Sequence, residues 1–152
     1  MCPNFKIEQD LIRNGCSIIA GVDEVGRGPL AGPVTAAAVI LNPLNIPDNL
    51  NDSKILSSKK REKLFEQLKS SSAFAVAHVS PEEIDKLNIL QASLLAMVNA
   101  VSNLKVKPNH ILISLRNLSI SLQHSLAASI SEALFKSLLN NLPSLENWGI
   151  AY

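Results

Sequence analysis

Two short apolar runs joined by a glycine- and proline-rich turn constrain the fold of this chain more than any other stretch of its sequence. The first run, CSIIAGVDEV, ends with two adjacent acids, Asp23 and Glu24, and the second, PVTAAAVIL, begins at Pro33. Apolar runs of this length, bounded by Gly and Pro, are typical of consecutive strands. The sequence therefore predicts a β-hairpin whose first strand ends beside two carboxylates.

A helix is predicted to follow the hairpin in SSKKREKLFEQLKSS. Ser57 or Ser58 is a candidate N-cap, because a serine side chain there can accept a hydrogen bond from the first turn. Leu64, Phe65 and Leu68 recur at helical spacing and define one apolar face.

Beyond this helix the sequence predicts a strand in SAFAVAHVS and a second helix that starts at Pro81. Ser80 and Glu83 supply an N-cap and a capping-box acid around that proline. NILQASLLAMVNAVSNLK is apolar over more than half of a helical circumference, which predicts a helix packed against a sheet and ended by Pro108. HILISL is a fourth predicted strand. The fold class is therefore α/β, with a mixed sheet flanked by helices.

Composition excludes several functional classes. With 152 residues and 47% hydrophobic content, the chain is expected to form one domain, residues 1–152. A net charge of +1 gives no global basic field, so a nucleic-acid partner would need a local patch. Two cysteines without metal spacing indicate a reducing, cytoplasmic setting, and no window is apolar enough for a membrane span or a signal peptide. We expect a monomer.

The paired acids are the strongest candidates for chemistry. Neighbouring strand residues point to opposite faces, so Asp23 and Glu24 share one site only if the strand twists or ends there, as Gly26 and Gly28 allow. Oxygen ligands suit a hard divalent ion such as Mg²⁺ or Mn²⁺. The alternative is a pair of solvated acids at an exposed strand end. Arg27 and the backbone N–H groups of the glycines favour a site for a sugar-phosphate backbone.

Three ordered motifs give the chain a family resemblance: IAGVDEVGRGPLAGPVTAAAVIL, LNDSKILSSKKREKLFEQL and IDKLNILQASLLAMVNAV. Together they resemble the type 2 ribonuclease H family, specifically bacterial ribonuclease HII. The resemblance is clear for residues 5–113 and weak for 114–152. It implies a ribonuclease H-like fold, and cleavage of the RNA strand of RNA–DNA hybrids or of single ribonucleotides embedded in duplex DNA.

The resemblance also implies roles for individual residues. Asp23 and Glu24 match the first two acids of a four-carboxylate site for Mn²⁺ or Mg²⁺, which assists phosphodiester hydrolysis. Gly26, Arg27 and Gly28 match a Gly-Arg-Gly motif that recognises the 2′-hydroxyl, the group that distinguishes RNA from DNA.

A second matched motif, Asp-Ser-Lys at Asp52, Ser53 and Lys54, begins the most basic stretch of the chain. Arg61 and three lysines, Lys59, Lys60 and Lys63, follow it, and we expect phosphate contacts from this stretch. The alternative for the lysines is a solvated helix face, although cations in a first helical turn oppose the helix dipole. The three histidines, His78, His110 and His124, have no ligand-like spacing and are expected to be structural or surface residues.

The last third of the sequence departs from the family pattern. Ser114 stands where the family has its third acid, and Ser137 stands where it has its fourth. A segment of sheet and loop between these positions is shortened, and Glu132 is a poor substitute because it falls on a different side of the predicted helix. Two functions therefore stay open: an endonuclease that uses Asp23 and Glu24, or a catalytically inactive family remnant that binds hybrids or folds poorly.

Overall fold

The structure is a computed structural model that describes residues 5–28 and 31–113. The strands are β1 (Ile19–Val25), β2 (Val34–Leu41), β3 (Ser72–Val79) and β4 (His110–Ile113). The helices are α1 (Lys6–Arg13), α2 (Ser58–Ser71), α3 (Pro81–Leu87) and α4 (Ile89–Ser102). The predicted hairpin, helices and strands are confirmed over these ranges, whereas α1 was not predicted.

The four strands form one mixed sheet in the order β3-β2-β1-β4. β1 and β2 are antiparallel, with Val25 opposite Thr35, and β3 extends the sheet antiparallel to β2. β4 joins the other side of β1 in parallel, with Ile113 opposite Val22. This pairing makes β1 an internal strand and brings the end of β4 next to the paired acids.

The core lies on the face of the sheet that α4 covers. Ala92, Ala96 and Ala100 follow each other at four-residue spacing on α4 and are fully buried. Their small side chains let the helix approach β1, β2 and β3 closely, where Ala36 and Ala38 also have almost no exposed surface. The predicted packing of this helix against a sheet is confirmed.

The end of α4 differs from the prediction. The helix ends at Ser102, and Asn103 is its C-cap, so Pro108 does not terminate it. Leu104 is 3% exposed because the chain turns back into the core directly after the cap. Burial of this leucine, rather than the missing N–H of the proline, sets the helix end.

Helices α2 and α3 begin where the sequence predicts, but their caps differ. Ser57 precedes α2 without a side-chain capping bond, whereas the Ser80 hydroxyl accepts from Glu83 N and the Glu83 carboxylate accepts from Ser80 N. On α2, Leu64 is buried, but Phe65 is 53% exposed and contacts Phe74 only through the ring edge. The predicted apolar face of α2 is therefore narrower than expected.

Within residues 5–28 and 31–113, no helix combines the length and the apolar character that crossing a membrane requires.

Candidate metal and nucleic-acid site

Asp23 and Glu24 lie in the last three residues of β1 and occupy different environments. The residues facing the core alternate along the strand, and Ala20 and Val22 are buried there. Glu24 continues this face, and its side chain is only 5% exposed, whereas Asp23 is exposed. The Asp23 carboxylate accepts a hydrogen bond from the backbone N–H of Glu24 at 2.9 Å. Pairing with β2 continues through Val25, so β1 does not end at the acids, and it presents a solvated and a buried carboxylate on its two faces.

Arg27 neutralises the buried acid. Its Nη1 donates to Glu24 Oε1 at 3.1 Å, and the arginine side chain is itself only 20% exposed. The second oxygen, Glu24 Oε2, is buried and has no hydrogen-bond partner among the described residues. Burial raises the pKa of the Glu24 carboxyl, the hydrogen bond from Arg27 opposes this rise, and the Asp23 charge adds to it.

Gly26 allows the chain to turn Arg27 back onto Glu24. Its φ of +97° lies in the left-handed region, and a Cβ atom there would be 2.6 Å from the backbone oxygen of Pro33. Gly28 has no such constraint, because a Cβ atom there meets no described residue within 4 Å. The expected conformational role of the glycines thus holds for Gly26. At Gly28 the described residues give no packing reason for a glycine.

The carboxylate oxygens of Asp23 and Glu24 are of the type that binds a hard divalent cation, but they are only two carboxylates. Glu24 Oε2, a buried carboxylate oxygen without a partner in the described ranges, and the exposed carboxylate of the preceding Asp23 are ligands that suit Mg²⁺ or Mn²⁺. In the part of the chain that the structure describes, however, no three acids, histidines or cysteines converge on one point. Ser114 and Ser137, the positions at which the family resemblance implies two further acids, and Glu132 lie outside the described residues.

The Asp-Ser-Lys motif forms a tight turn before α2. Asp52 Oδ1 accepts from Lys54 N at 3.0 Å, and the Ser53 and Lys54 side chains are exposed. Arg61 Nη1 donates to the backbone oxygens of Ser53 at 3.1 Å and Leu56 at 2.7 Å. Arg61 was predicted to contact nucleic acid, and the structure adds a second role, which is to brace this turn. The sequence signal for this second role was the position of the arginine, one helical turn after a candidate N-cap.

The first turns of α2 form a cationic surface. Lys59, Lys60 and Lys63 are exposed, and the first turn contains no acidic residue. The positive end of the helix dipole and the lysines therefore favour the same anionic partner.

Two of the three histidines lie in the described residues. His78 Nδ1 is 2.8 Å from Thr35 Oγ1, a neighbour across the β2–β3 pair, and His110 pairs with Ile19 in the sheet. His124 lies outside the described residues. The prediction that the first two are structural or surface residues agrees with these contacts.

The buried carboxylate gives a pH-dependent prediction. We expect Glu24→Gln to raise the free energy of unfolding at pH 7, because burial and the Asp23 charge disfavour the ionised Glu24 carboxylate more than Arg27 favours it, while the amide oxygen can still accept from Arg27. The pKa of Glu24 is raised above its usual 4.5 in the folded state, so this gain is present above the raised pKa. It vanishes below 4.5, where the carboxyl is neutral in both states.

Urea unfolding from pH 3 to pH 8, followed by circular dichroism, measures this effect. Glu66→Gln is the matched control, since Glu66 lies on α2 with its side chain 68% exposed, and we expect little change there at any pH. A Glu24→Gln protein that is less stable than the parent at pH 7 would contradict the prediction.

Comparison with solved structures identifies the fold class. Ribonuclease H2 from Pyrococcus horikoshii OT3 is similar with a TM-score of 0.66 and 27% identity, over 90% of this chain and 63% of that one. Bst-RNase HIII, crystallised in complex with Mn²⁺, is similar with a TM-score of 0.51 and 19% identity, over 90% of this chain and 46% of that one. The mixed sheet and flanking helices therefore define the class of ribonuclease H-like α/β proteins.

Sequence comparison narrows the class to a family. The family model described as Ribonuclease HII matches residues 20–137. Ribonuclease HII from Paracoccus denitrificans (strain Pd 1222) is 54% identical over 111 residues, which cover 73% of this chain and 53% of that protein. The chain belongs to the ribonuclease HII family. It spans about half the length of the curated relatives that it matches.

Proposed function

We propose that this chain is an endonuclease that hydrolyses the RNA strand of RNA–DNA hybrids, including single ribonucleotides embedded in duplex DNA, with Mn²⁺ or Mg²⁺. The observation that supports the proposal most is the arrangement at the end of β1. Glu24 is a buried carboxylate with one oxygen that has no partner among residues 5–28 and 31–113; it follows the exposed Asp23 and lies within hydrogen-bonding distance of Arg27. These residues match the family motif in a chain that belongs to the family.

In this proposal Asp23 and Glu24 hold the divalent ion, which would supply charge neutralisation at the scissile phosphate and a more acidic water. Mn²⁺ is the ion in the complex of the structurally similar ribonuclease HIII. The protein's own contribution is to place two carboxylates on one rigid strand. Pairing with β2 holds Asp23 opposite Ala37 and Glu24 opposite Ala36, and pairing with β4 supports β1 up to Val22.

Substrate recognition is assigned to two surfaces. At loop 26–28, backbone N–H groups and Arg27 contact the ribonucleotide and its 2′-hydroxyl, and a glycine at position 28, with no described residue within 4 Å of a Cβ there, lets the sugar approach the backbone. At the start of α2, the exposed Ser53 and Lys54 and the following lysines contact phosphates. Arg61 contributes by fixing the turn that carries Ser53 and Lys54.

A second candidate function is binding of hybrids without cleavage. The described residues bring no third acid, histidine or cysteine to Asp23 and Glu24, and two carboxylates hold Mg²⁺ weakly without substrate phosphates. The loop and the cationic surface would be sufficient for binding. This candidate predicts affinity for hybrids with no turnover.

Cleavage of a DNA duplex that contains one ribonucleotide separates the two candidates. The full chain is assayed with Mn²⁺, with Mg²⁺ and with a chelator, on this duplex and on the same duplex with a deoxynucleotide at that position. An Asp23→Ala protein, purified identically, reports cleavage by a contaminating nuclease. Fluorescence anisotropy with the same duplexes measures binding.

Endonuclease function predicts metal-dependent cutting beside the ribonucleotide, which Asp23→Ala and the chelator remove. Binding without cutting, by a protein with a folded circular dichroism spectrum, would overturn the first candidate and favour the second. Equal affinity for the two duplexes would contradict recognition of the 2′-hydroxyl, which both candidate functions assume.

A further inference from the structure

We propose that Arg27 is an internal counterion of the metal site: in the free protein it holds Glu24 and weakens metal binding, and it transfers to a substrate phosphate when nucleic acid arrives. Arg27 thus couples metal binding to substrate binding. This inference rests on the proposed function, because it assigns the regulation of the same site.

The Arg27–Glu24 ion pair is a single contact, which suits an arginine that neutralises the carboxylate only in the free protein. Arg27 donates through one nitrogen to one carboxylate oxygen, at 3.1 Å, and leaves Glu24 Oε2 without a partner among the described residues. An arginine that permanently fixed a carboxylate would be expected to form a bidentate pair. The single contact leaves one oxygen of Glu24 able to bind a second cation.

Charge explains why the pair opposes metal binding. Asp23 and Glu24 carry two negative charges, and Arg27 cancels one of them at close range. A divalent ion would enter a site with little net negative charge, in which the positive guanidinium repels it. Without Arg27, the same two carboxylates would attract the ion more strongly.

The position of Arg27 allows it to exchange partners. Its side chain is 20% exposed, whereas that of Glu24 is 5% exposed, so the arginine lies on the solvent side of the pair. A phosphate that approaches loop 26–28 meets the guanidinium before it meets the acid. Guanidinium and phosphate form strong bidentate hydrogen bonds, which supplies a reason for transfer.

The other two arginines in the described ranges have different contacts. Arg13 pairs with Asp10 on the surface of α1, with side chains 75% and 54% exposed, and Arg61 binds backbone oxygens. Arg13 therefore offers a matched control: both it and Arg27 bind an acid three residues earlier, at 3.2 Å and 3.1 Å, but only Arg27 does so at the proposed site.

Calorimetric titration of Mn²⁺ into the nucleic-acid-free protein tests the inference. We expect Arg27→Gln to bind Mn²⁺ at least about tenfold more tightly than the parent, because a unit charge several ångströms from a divalent ion has about this effect even in bulk water. Arg27→Lys, which keeps the charge, should restore an affinity near that of the parent, and Arg13→Gln should leave it unchanged. Unchanged or weaker Mn²⁺ binding by folded Arg27→Gln would overturn the proposal.

A second measurement is the affinity for a hybrid without metal, which the same substitution is expected to lower rather than raise. Arg27→Gln should bind an RNA–DNA hybrid several-fold more weakly, because a phosphate contact is lost. The proposal requires opposite effects on the two affinities, so weaker binding of both Mn²⁺ and the hybrid by Arg27→Gln would also overturn it.

If Arg27→Gln does not fold, the parent protein still gives a test. The Arg27 Nε–H resonance, identified by its loss in Arg27→Lys, should shift on addition of Mg²⁺ and shift again with a hybrid, and an unmoved signal contradicts the proposal. The metal titration contains no nucleic acid, so it stays informative even if the chain fails to cleave hybrids. Failure of the proposed function is thereby separable from failure of this inference.

Discussion

Gly26→Ala is expected to destabilise the protein by about 2–5 kcal/mol, from two additive causes. An alanine at a φ of +97° adopts a left-handed conformation, which costs about 1–2 kcal/mol. The new methyl carbon would also lie 2.6 Å from the backbone oxygen of Pro33, the residue that leads into β2. Relief of this overlap requires a shift of the hairpin backbone, which typically costs a further 1–3 kcal/mol or so.

Gly15→Ala separates these two causes. Gly15 has a φ of +96°, almost the same as Gly26, but a methyl group there meets no described residue within 4 Å. We therefore expect only the conformational cost, about 1–2 kcal/mol, at position 15. Urea unfolding followed by far-ultraviolet circular dichroism measures both variants. Equal losses of stability would show that the close approach to Pro33 contributes nothing.

The elements that the sequence predicts well are those whose signals are local. The hairpin follows from two apolar runs around Gly and Pro, and the start of α3 follows from Ser80 and Glu83, which form the predicted capping box. Each of these signals depends on residues within a few positions of each other. Local hydrogen bonds and strand alternation decide them before the tertiary structure contributes.

Features that depend on tertiary packing are predicted less well. The end of α4 was assigned to Pro108, but burial of Leu104 ends the helix six residues earlier. Phe65 has the spacing of a buried residue, yet the sheet that α2 meets covers Leu64 in preference. Spacing along a helix identifies a face but not how much of that face the neighbouring element covers.

The candidate site shows the same limit. The motif at Asp23 and Glu24 is visible in the sequence, whereas the Arg27–Glu24 ion pair depends on the left-handed turn at Gly26. Arg61 was assigned to phosphate because it is a cation in a basic stretch, and its hydrogen bonds to the turn before α2 could not be read from charge. Residue type indicates what a side chain can bind, and only the backbone geometry decides what it does bind.

Ser114→Asp is expected to tighten Mn²⁺ binding about tenfold or more, since it adds a third carboxylate at the position where the resemblance to ribonuclease HII implies one. Ser114 itself lies outside the described residues, but it follows Ile113, which pairs with Val22. Val22 directly precedes Asp23 on β1, and position 114 is one peptide unit, about 3.8 Å between Cα atoms, from Ile113. A carboxylate at position 114 should therefore reach the same ion as Asp23.

Ser70→Asp is the control for added charge. Ser70 lies in the last turn of α2, just before Ser72 pairs with Leu41, whereas Asp23 pairs with Ala37. These two β2 positions are four residues apart, or roughly 13 Å along the strand, so the control charge is remote from the acids. We expect Ser70→Asp to leave Mn²⁺ affinity unchanged in a calorimetric titration.

The cleavage assay decides what the result means for function. If Ser114→Asp binds Mn²⁺ more tightly and cuts the ribonucleotide-containing duplex faster than the parent, the serine limits a site that is otherwise assembled, as the endonuclease proposal requires. If metal affinity rises without any cutting, the position corresponding to the fourth acid, Ser137, becomes the next to restore. An affinity equal to that of the parent would show that a carboxylate at position 114 does not reach the ion held by Asp23 and Glu24. The prediction would then be wrong, and hybrid binding without cleavage would be favoured.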